Sequence, residues 1–270
     1  MLRLRVMTAL AMFAAIVSAV VWLDTQWLGL ALGVIILTGA WEWGALSGLR
    51  SPGAKIAYVA GMAVLALATV SYLPDAALPA VGCLWWLLVT ARILVGQAAV
   101  PLQGRVSRAW LAAGPMTLLP AYSAILYLHR SDSFGAVFLL YAMSIVWVAD
   151  IGAYFTGRRW GMRKLAPAIS PGKSWEGAAG ALALVTAYGV VGGWWFSATP
   201  TAAALLVIVA MAAGLVSIIG DLFESLLKRA AQRKDSGTLL PGHGGVLDRI
   251  DSLTAAMPVF ASGSLVLPVI

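Results

Sequence analysis

Residues 201–222 read TAAALLVIVAMAAGLVSIIGDL, and Asp221 is the first charged residue in this stretch. An apolar run of about 20 residues matches a helix that crosses about 30 Å of hydrocarbon at about 1.5 Å per residue. Strands of a membrane barrel would be about half as long and would alternate in polarity. We therefore predict an all-α, polytopic integral membrane protein with about nine transmembrane helices. The other apolar runs lie roughly at 5–23, 27–47, 56–73, 77–95, 110–128, 134–156, 176–197 and 253–270.

The composition supports the same class. Of the 270 residues, 61% are hydrophobic and only 11% are charged, and the mean hydropathy is +0.90. Soluble domains carry about 25% charged residues, so a soluble fold of this chain would lack a polar surface. The first 22 residues resemble a signal peptide, but their apolar run is long enough to span, and we expect a retained first helix. The single cysteine, Cys83, is expected to pack within an apolar run.

The basic residues predict the orientation of the helices. If the N-terminus is cytoplasmic, 17 of the 18 Lys and Arg residues fall on the cytoplasmic side, and only Arg130 falls on the other. This split follows the positive-inside rule, so we predict a cytoplasmic N-terminus. The net charge of +7 then belongs to loops beside the membrane, and we expect membrane lipids and no nucleic acid as partners. The long polar segments all lie on that side, at 92–109, 157–175 and 223–252.

We divide the chain into two parts by the kind of sequence that each contains, and we do not expect either part to fold as a separate domain. Residues 1–130 are expected to form the N-terminal transmembrane helices. Residues 131–270 are expected to form a C-terminal transmembrane catalytic region with loops at the cytoplasmic face. We treat the two parts as one membrane unit, because no segment of the sequence has the composition of a soluble domain.

Acidic residues mark the cytoplasmic ends of the C-terminal spans. Carboxylates at membrane depth are costly and are usually paired or functional. Asp221 and Glu224 are three residues apart and share a helix face, as do Asp248 and Asp251. Such oxygen ligands suit Mg²⁺, which takes one or two carboxylates together with substrate phosphates. The alternative is pairing with nearby Lys and Arg, and for Glu224 this is equally good because Lys228 follows four residues later.

Residues 170–177, SPGKSWEG, resemble part of a phosphate-binding loop. The full pattern needs a glycine at position 167, where this chain has proline, and a preceding strand in place of a membrane span. We predict that residues 170–172 form a turn and that Ser174 caps the next helix, whose free N–H groups can bind an anion. Lys173 adds a positive charge, although a plain helix cap explains the motif equally well.

A glycine-rich segment, LPGHGG at 240–245, follows a basic cluster at 228–234. The basic cluster is explained by an anchor to lipid headgroups. An anchor does not need LPGHGG, in which glycines permit close backbone approach to a ligand and His243 can donate to a phosphate oxygen. Glu42, in the apolar segment WEWG, is expected only to make a buried hydrogen bond.

Together these segments resemble the signature of the phosphatidate cytidylyltransferase family, also called the CDP-diacylglycerol synthases. SPGKSWEG and VADIGAYFTGR resemble two family motifs in the same order. The resemblance covers roughly residues 144–258, while the first 130 residues match only as hydrophobic spans. The most specific likeness holds at every fixed position of SLLKR at 225–229, KDSG at 234–237 and LPGHGGVLDRID at 240–251.

The resemblance implies an enzyme of the bacterial inner membrane whose active site faces the cytoplasm. Members of the family join CTP to phosphatidic acid, which yields CDP-diacylglycerol and pyrophosphate for phospholipid synthesis. The resemblance also implies dependence on Mg²⁺, with a second cation such as K⁺, and a homodimer is a further expectation.

The likeness carries a metal-binding role to Asp221 and Asp248, with Asp251 and Ser225 nearby, and the chemistry of the other residues completes the expected site. The expected metal ligands are Asp150, Asp221, Ser225, Asp248 and Asp251. The expected catalytic residues are Lys173, Asp221, His243, Asp248 and Arg249. The expected substrate-binding residues are Ser170, Lys173, Ser174, Lys228, Arg229, Lys234, Gly244 and Gly245.

The chemistry of such a transfer agrees with the residues present. The attacking lipid phosphate is already anionic, so no strong general base is needed, and the sequence offers no Ser-His-Asp or Cys-His set. One alternative is a CTP-dependent lipid kinase, which needs much the same phosphate machinery. A less favoured alternative is a proton-coupled transporter, for which buried acids would be suitable. Acids at one face and the lack of inverted repeats argue against the transporter.

Overall fold

Long apolar helices account for most of the chain. The computed structural model describes residues 2–73, 76–96, 102, 105–130, 135–197, 199–239 and 244–267. Seven of the helices in these ranges, α2 to α8, are long and apolar enough to cross a membrane. The all-α integral membrane class is therefore confirmed. The described helices are α1 (Leu2–Trp22), α2 (Thr25–Leu46), α3 (Pro52–Tyr72), α4 (Ala77–Val95), α5 (Arg108–His129), α6 (Gly135–Trp160), α7 (Trp175–Phe196), α8 (Pro200–Ala230) and α9 (Leu247–Ser264).

The last helix departs most from its predicted span at 253–270. It begins at Leu247, and three charged residues lie in its first two turns. Such charges are costly against lipid, and α9 instead packs among α4, α5 and α8, with Met257 and Phe260 fully buried. The predicted total of nine spans and the cytoplasmic N-terminus stay predictions, because α1 and α9 fall outside the seven.

Two prolines inside helices, Pro115 and Pro258, are compensated by side chains of neighbouring helices. Pro258 has no N–H group, so the carbonyl of Thr254 in α9 has no partner within the helix. Trp86 of α4 donates its Nε1–H to that carbonyl at 3.0 Å. In α5, Pro115 leaves the carbonyl of Leu111 free in the same way, and the Tyr58 hydroxyl donates to it at 3.0 Å. These bonds fix α9 and α5 against α4 and α3.

Two apolar clusters hold the helices together. One joins α6, α7, α8 and α9 around the rings of Phe138, Tyr141 and Phe260. The other joins α2, α4, α5 and α8 around Phe223, whose ring centre lies between 5.2 and 6.1 Å from four tryptophan rings. The second cluster combines residues from both sides of residue 130, so the N-terminal helices support the C-terminal ones directly.

A short β-hairpin replaces the turn that we predicted at residues 170–172. Strand β1 (Lys164–Ala166) pairs antiparallel with β2 (Ser170–Ser174). The prediction is wrong because long-range packing decides this segment: Ile169 is fully buried, and its carbonyl accepts a hydrogen bond from Arg229 Nε of α8 at 3.2 Å. The predicted cap is confirmed, since the Ser174 hydroxyl accepts the backbone N–H of Gly177 at 3.1 Å.

Candidate active site

Five elements bring polar residues to one end of the bundle: the end of α6, the hairpin, the start of α7, the last turns of α8 and the start of α9. We refer to residues 150–177, 221–239 and 244–251 together as the hairpin end. Gly152 of α6 lies against the carbonyl of Gly180 in α7, and Gly220 of α8 lies against the carbonyl of Asp251 in α9. Small residues let helices in a membrane approach closely. Side chains of four helices can therefore meet here.

A pocket of about 470 Å³ opens between α6, α7, α8 and the hairpin. This size lies within the range of small-molecule sites, which is roughly 300 to 1,000 Å³. Its walls combine apolar side chains with groups of both charges. The polar and charged lining residues are Asp150, Tyr154, Arg158, Lys173, Ser174 and Asp221.

Lys173 and Asp221 form an ion pair in this pocket. Lys173 Nζ lies 2.6 Å from Asp221 Oδ2, and the side chains keep 24% and 32% of their surface exposed. Ser225, one turn further along α8, donates its hydroxyl to Asp221 Oδ1 at 3.2 Å. Asp150 lies within electrostatic reach of both charged groups. A partly exposed lysine beside the start of α7 can bind an anionic group that enters the pocket.

Lys228 joins two further acids in a more buried cluster. Its Nζ lies 2.6 Å from Asp248 Oδ1 and 3.0 Å from Glu224 Oε2. Glu224 therefore pairs with Lys228, which was one of the two interpretations that the four-residue spacing left open. The contact with Asp248 joins α8 to the start of α9, and no spacing in the sequence indicates it.

Asp248 also binds the backbone of the segment that precedes α9. Its Oδ2 accepts N–H groups of Gly245 at 2.8 Å and of Ser236 at 2.9 Å, and the Ser236 hydroxyl lies 2.9 Å away. Burial alone would raise the pKa of the Asp248 carboxyl, but the hydrogen bonds from Lys228, Gly245 and Ser236 together hold that pKa below its usual value. Asp248 is therefore anionic at neutral pH.

Glu42 reaches the same segment from α2. Its carboxylate is almost fully buried and accepts hydrogen bonds from the N–H groups of Val246 and Leu247 and from the Ser236 hydroxyl. The predicted buried hydrogen bond is confirmed. The apolar sequence around Glu42 signals that its carboxylate needs donors, but it does not indicate which donors.

Sequence comparisons identify the family. The sequence model described as the Cytidylyltransferase family matches residues 3–266. The chain belongs to the cytidylyltransferase family. A protein from Pseudomonas aeruginosa named phosphatidate cytidylyltransferase is 41% identical over 264 residues, which cover 97% of this chain and 96% of that relative. Proteins of the same name from Haemophilus influenzae and a Synechocystis species are 36% and 32% identical, over 97% and 89% of this chain and 98% and 89% of their own lengths.

This membership confirms the resemblance that the motifs of residues 144–258 carry. It also extends the likeness to the first 130 residues, which the motifs do not reach. Glu42 lies in that N-terminal part and is therefore within the region that the family model matches.

The described residues that remain of the predicted site do not line this pocket. Asp251 interacts electrostatically with Asp221 across the contact of α8 and α9, although it does not line the 470 Å³ pocket. Arg249 and Lys234 are exposed, and Gly244, at φ +82°, lies against Asp248. Ser170 pairs with Ala166 in the hairpin. His243 lies outside the described residues, together with residues 240–242.

The predicted Mg²⁺ site can be compared with these positions. Among the described residues, no three His, Cys, Asp or Glu side chains lie close enough to hold a metal ion by themselves. Mg²⁺ often uses only one or two carboxylates and completes its shell with water and phosphate oxygens. Asp221 and Asp150, which border the same pocket, fit that pattern. Asp248 fits it less well as it stands, because both of its oxygens already accept hydrogen bonds.

Arg158 and Tyr154 line the pocket, and our residue-level predictions omitted both. Arg158 donates to the Tyr154 hydroxyl at 2.8 Å. We placed the end of the sixth span at residue 156, whereas α6 continues to Trp160. The signal was available in the four-residue spacing of Asp150, Tyr154 and Arg158, which puts all three on one helix face.

Proposed function

We propose that this protein transfers the cytidylyl group of CTP to phosphatidic acid and releases pyrophosphate, as a step of phospholipid biosynthesis. The observation that carries the proposal is the Lys173–Asp221 pair in a 470 Å³ pocket at one end of a membrane bundle. Relatives named phosphatidate cytidylyltransferase, which match the chain over nearly its whole length, support the choice of substrates.

The reaction brings two polyanions together. An oxygen of the lipid phosphate forms a bond to the α-phosphorus of CTP, and the bond from that phosphorus to the bridging oxygen of the β-phosphate breaks. The electron pair of the broken bond leaves with pyrophosphate. No proton has to be removed from the nucleophile, because the lipid phosphate is already anionic. Repulsion between phosphates is the main barrier, and fixed positive charges lower it.

Residues of this chain can supply those charges. Lys173 and Arg158 border the pocket, and so does the start of α7, where a helix N-terminus favours an anion. We propose that entry of a phosphate group draws Lys173 away from Asp221, which leaves the Asp221 carboxylate free for a cation. Bound Mg²⁺ would neutralise phosphate charge, and Asp221 with Asp150 would hold it. Asp248 as a further ligand and a second cation such as K⁺ stay predictions.

Access for a lipid is supported by the surface beside the pocket. Tyr154, Phe155, Trp160 and Trp175 are exposed at the hairpin end. Aromatic side chains favour the boundary between lipid headgroups and hydrocarbon. We therefore propose that phosphatidic acid enters sideways from the bilayer and CTP enters from the cytoplasm of a bacterial cell. A homodimer stays a prediction.

The experiment that tests the function uses the purified protein in detergent with phosphatidic acid, Mg²⁺ and CTP labelled at the α-phosphate. We expect labelled CDP-lipid and one pyrophosphate per turnover, and loss of turnover when Mg²⁺ is chelated. Release of labelled CDP without a labelled lipid would instead indicate the lipid kinase. Absence of both products would overturn the proposal and favour the transporter.

Asp221→Asn should abolish turnover in the same assay. Asp24→Asn is the control and should keep turnover, because Asp24 lies at an exposed turn and makes no capping bond.

A further inference from the structure

Glu42 is a buried carboxylate whose hydrogen-bond partners are far away in the sequence. It lies in α2 with only 5% of its surface exposed. Its Oε1 accepts the N–H of Val246 at 3.1 Å, and its Oε2 accepts the N–H of Leu247 at 2.9 Å, across 204 and 205 residues. A buried carboxylate is costly unless donors surround it, so these bonds account for its presence in an apolar helix.

The two N–H groups belong to the start of α9. The first N–H groups of a helix have no partner within the helix, and its N-terminus favours negative charge. Val246 stands at the capping position and supplies no side-chain cap. Glu42 therefore caps α9 from another helix.

Two glycines make room for this carboxylate. A Cβ atom at Gly237 or at Gly245 would collide with the carboxylate oxygens of Glu42. Neither glycine has a positive φ, unlike Gly244, so backbone conformation does not require them. Both stand at fixed positions of the signature quoted above, and the sequence alone attributed Gly245 to close approach of a ligand. The structure gives a reason for both glycines, which is access for Glu42.

Asp248 binds the backbone around Ser236 and Gly245, which Glu42 also contacts. The Ser236 hydroxyl lies 3.0 Å from Glu42 Oε2 and 2.9 Å from Asp248 Oδ2, and its one hydrogen can serve only one of them at a time. Asp248 also accepts the N–H groups of Ser236 and Gly245. The backbone around Ser236 and Gly245 is thus bound between two carboxylates, one from α2 and one from α9.

We propose that Glu42 is a positioning residue for the transfer reaction. By fixing the start of α9, Glu42 sets the direction of the Asp248 side chain and, through the 2.6 Å contact, that of Lys228. The inference rests on the proposed function and on Asp248 and Lys228 taking part in it, as the sequence signature predicts; neither residue lines the described pocket. Glu42 does not line the described pocket, so it acts through them and not on the reacting atoms.

The test compares Glu42→Gln with a helix cap far from the site. A glutamine side chain has one oxygen, so either Val246 or Leu247 would face an NH₂ group and lose its acceptor. We expect Glu42→Gln to lower kcat by about tenfold to hundredfold, which corresponds to the loss of one hydrogen bond to a charged group. The KM for CTP should change by less than about threefold. The control is Thr199→Ala, which removes the cap of α8 at Ala202. Its kcat should equal that of the wild type, and both variants should unfold at a similar temperature.

A double variant separates positioning from general destabilisation. If Glu42 acts through the segment around Ser236, Glu42→Gln and Ser236→Ala should be strongly non-additive in kcat, because each loosens the same backbone. A wild type that shows no CDP-lipid synthesis overturns the proposed function and this inference together. An active wild type with an unchanged kcat in Glu42→Gln overturns the inference alone. A fall in kcat would also overturn the inference if it only reflected a smaller folded fraction. In that case Thr199→Ala, at a matched Tm, would show the same fall in kcat.

Discussion

At the scale of single residues, the two lysines of the hairpin end have different surroundings. Lys173 keeps 24% of its side-chain surface exposed and has one close acidic partner. Lys228 is enclosed between Glu224 and Asp248, and both of these acids are more buried than Asp221. An exposed pair contributes little to stability and can be exchanged for a ligand, whereas a buried pair is costly to break. Lys173 is therefore suited to meet substrate, and Lys228 to hold Asp248.

This difference predicts that two matched substitutions change different quantities: activity for Lys173 and stability for Lys228. Lys173→Gln should lower kcat/KM by about 100-fold, in the range found when one fixed donor to a developing charge is removed, with little change in Tm. Lys228→Gln should lower the free energy of unfolding by about 3 to 5 kcal/mol, because it leaves two buried carboxylates without a cation. Activity assays and thermal unfolding in detergent measure the two effects. A wild-type kcat/KM in Lys173→Gln would contradict the role of Lys173, and Lys55→Gln, in the first turn of α3, serves as the control.

At the scale of elements, helix contacts place the acids. Asp221 lies on α8 and Asp248 on α9, and a close contact at Gly220 packs these two helices together. A Cβ atom there would lie 2.6 Å from the Asp251 carbonyl oxygen and 2.8 Å from the Ala255 Cβ. Both neighbours belong to a helix, so neither can move without shifting α9. The packing of α8 against α9 thus requires a residue without a Cβ atom at position 220.

Gly220→Ala should therefore separate α8 from α9. We expect the free energy of unfolding to fall by about 1 to 3 kcal/mol, as for other overpacked contacts, and turnover to fall with it because Asp221 and Asp248 move apart. Gly61→Ala in α3 is the matched control, since no atom lies within 4 Å of the added Cβ. It should keep or raise the Tm because alanine favours a helix over glycine. Equal Tm values for the two variants would contradict the proposed contact.

At the scale of the whole molecule, the sequence predicted what depends on local hydropathy. The spans from α2 to α8 follow from their own apolar runs, and the pairing of Glu224 with Lys228 follows from helix spacing. The hairpin, the enclosed position of α9 and the partners of Glu42 depend on contacts between distant segments. The bond from Glu42 to Leu247 joins positions 205 residues apart, and no periodicity encodes it. The pairing of Lys173 with Asp221 was missed for the same reason, although both residues were predicted in the site.

The orientation of the whole bundle leads to a further prediction. In the predicted nine-span topology 17 of the 18 basic residues fall on one side, so the positive-inside rule predicts that the hairpin end faces the cytoplasm. In a Cys83→Ala background, a cysteine introduced by Asp24→Cys should react with a membrane-impermeant maleimide added to intact spheroplasts. A cysteine introduced by Arg233→Cys should react only after the membrane is permeabilised, and both positions are exposed. The reverse pattern would place the pocket outside the cell, where it could not receive cytoplasmic CTP, and would contradict the orientation and the route proposed for the nucleotide.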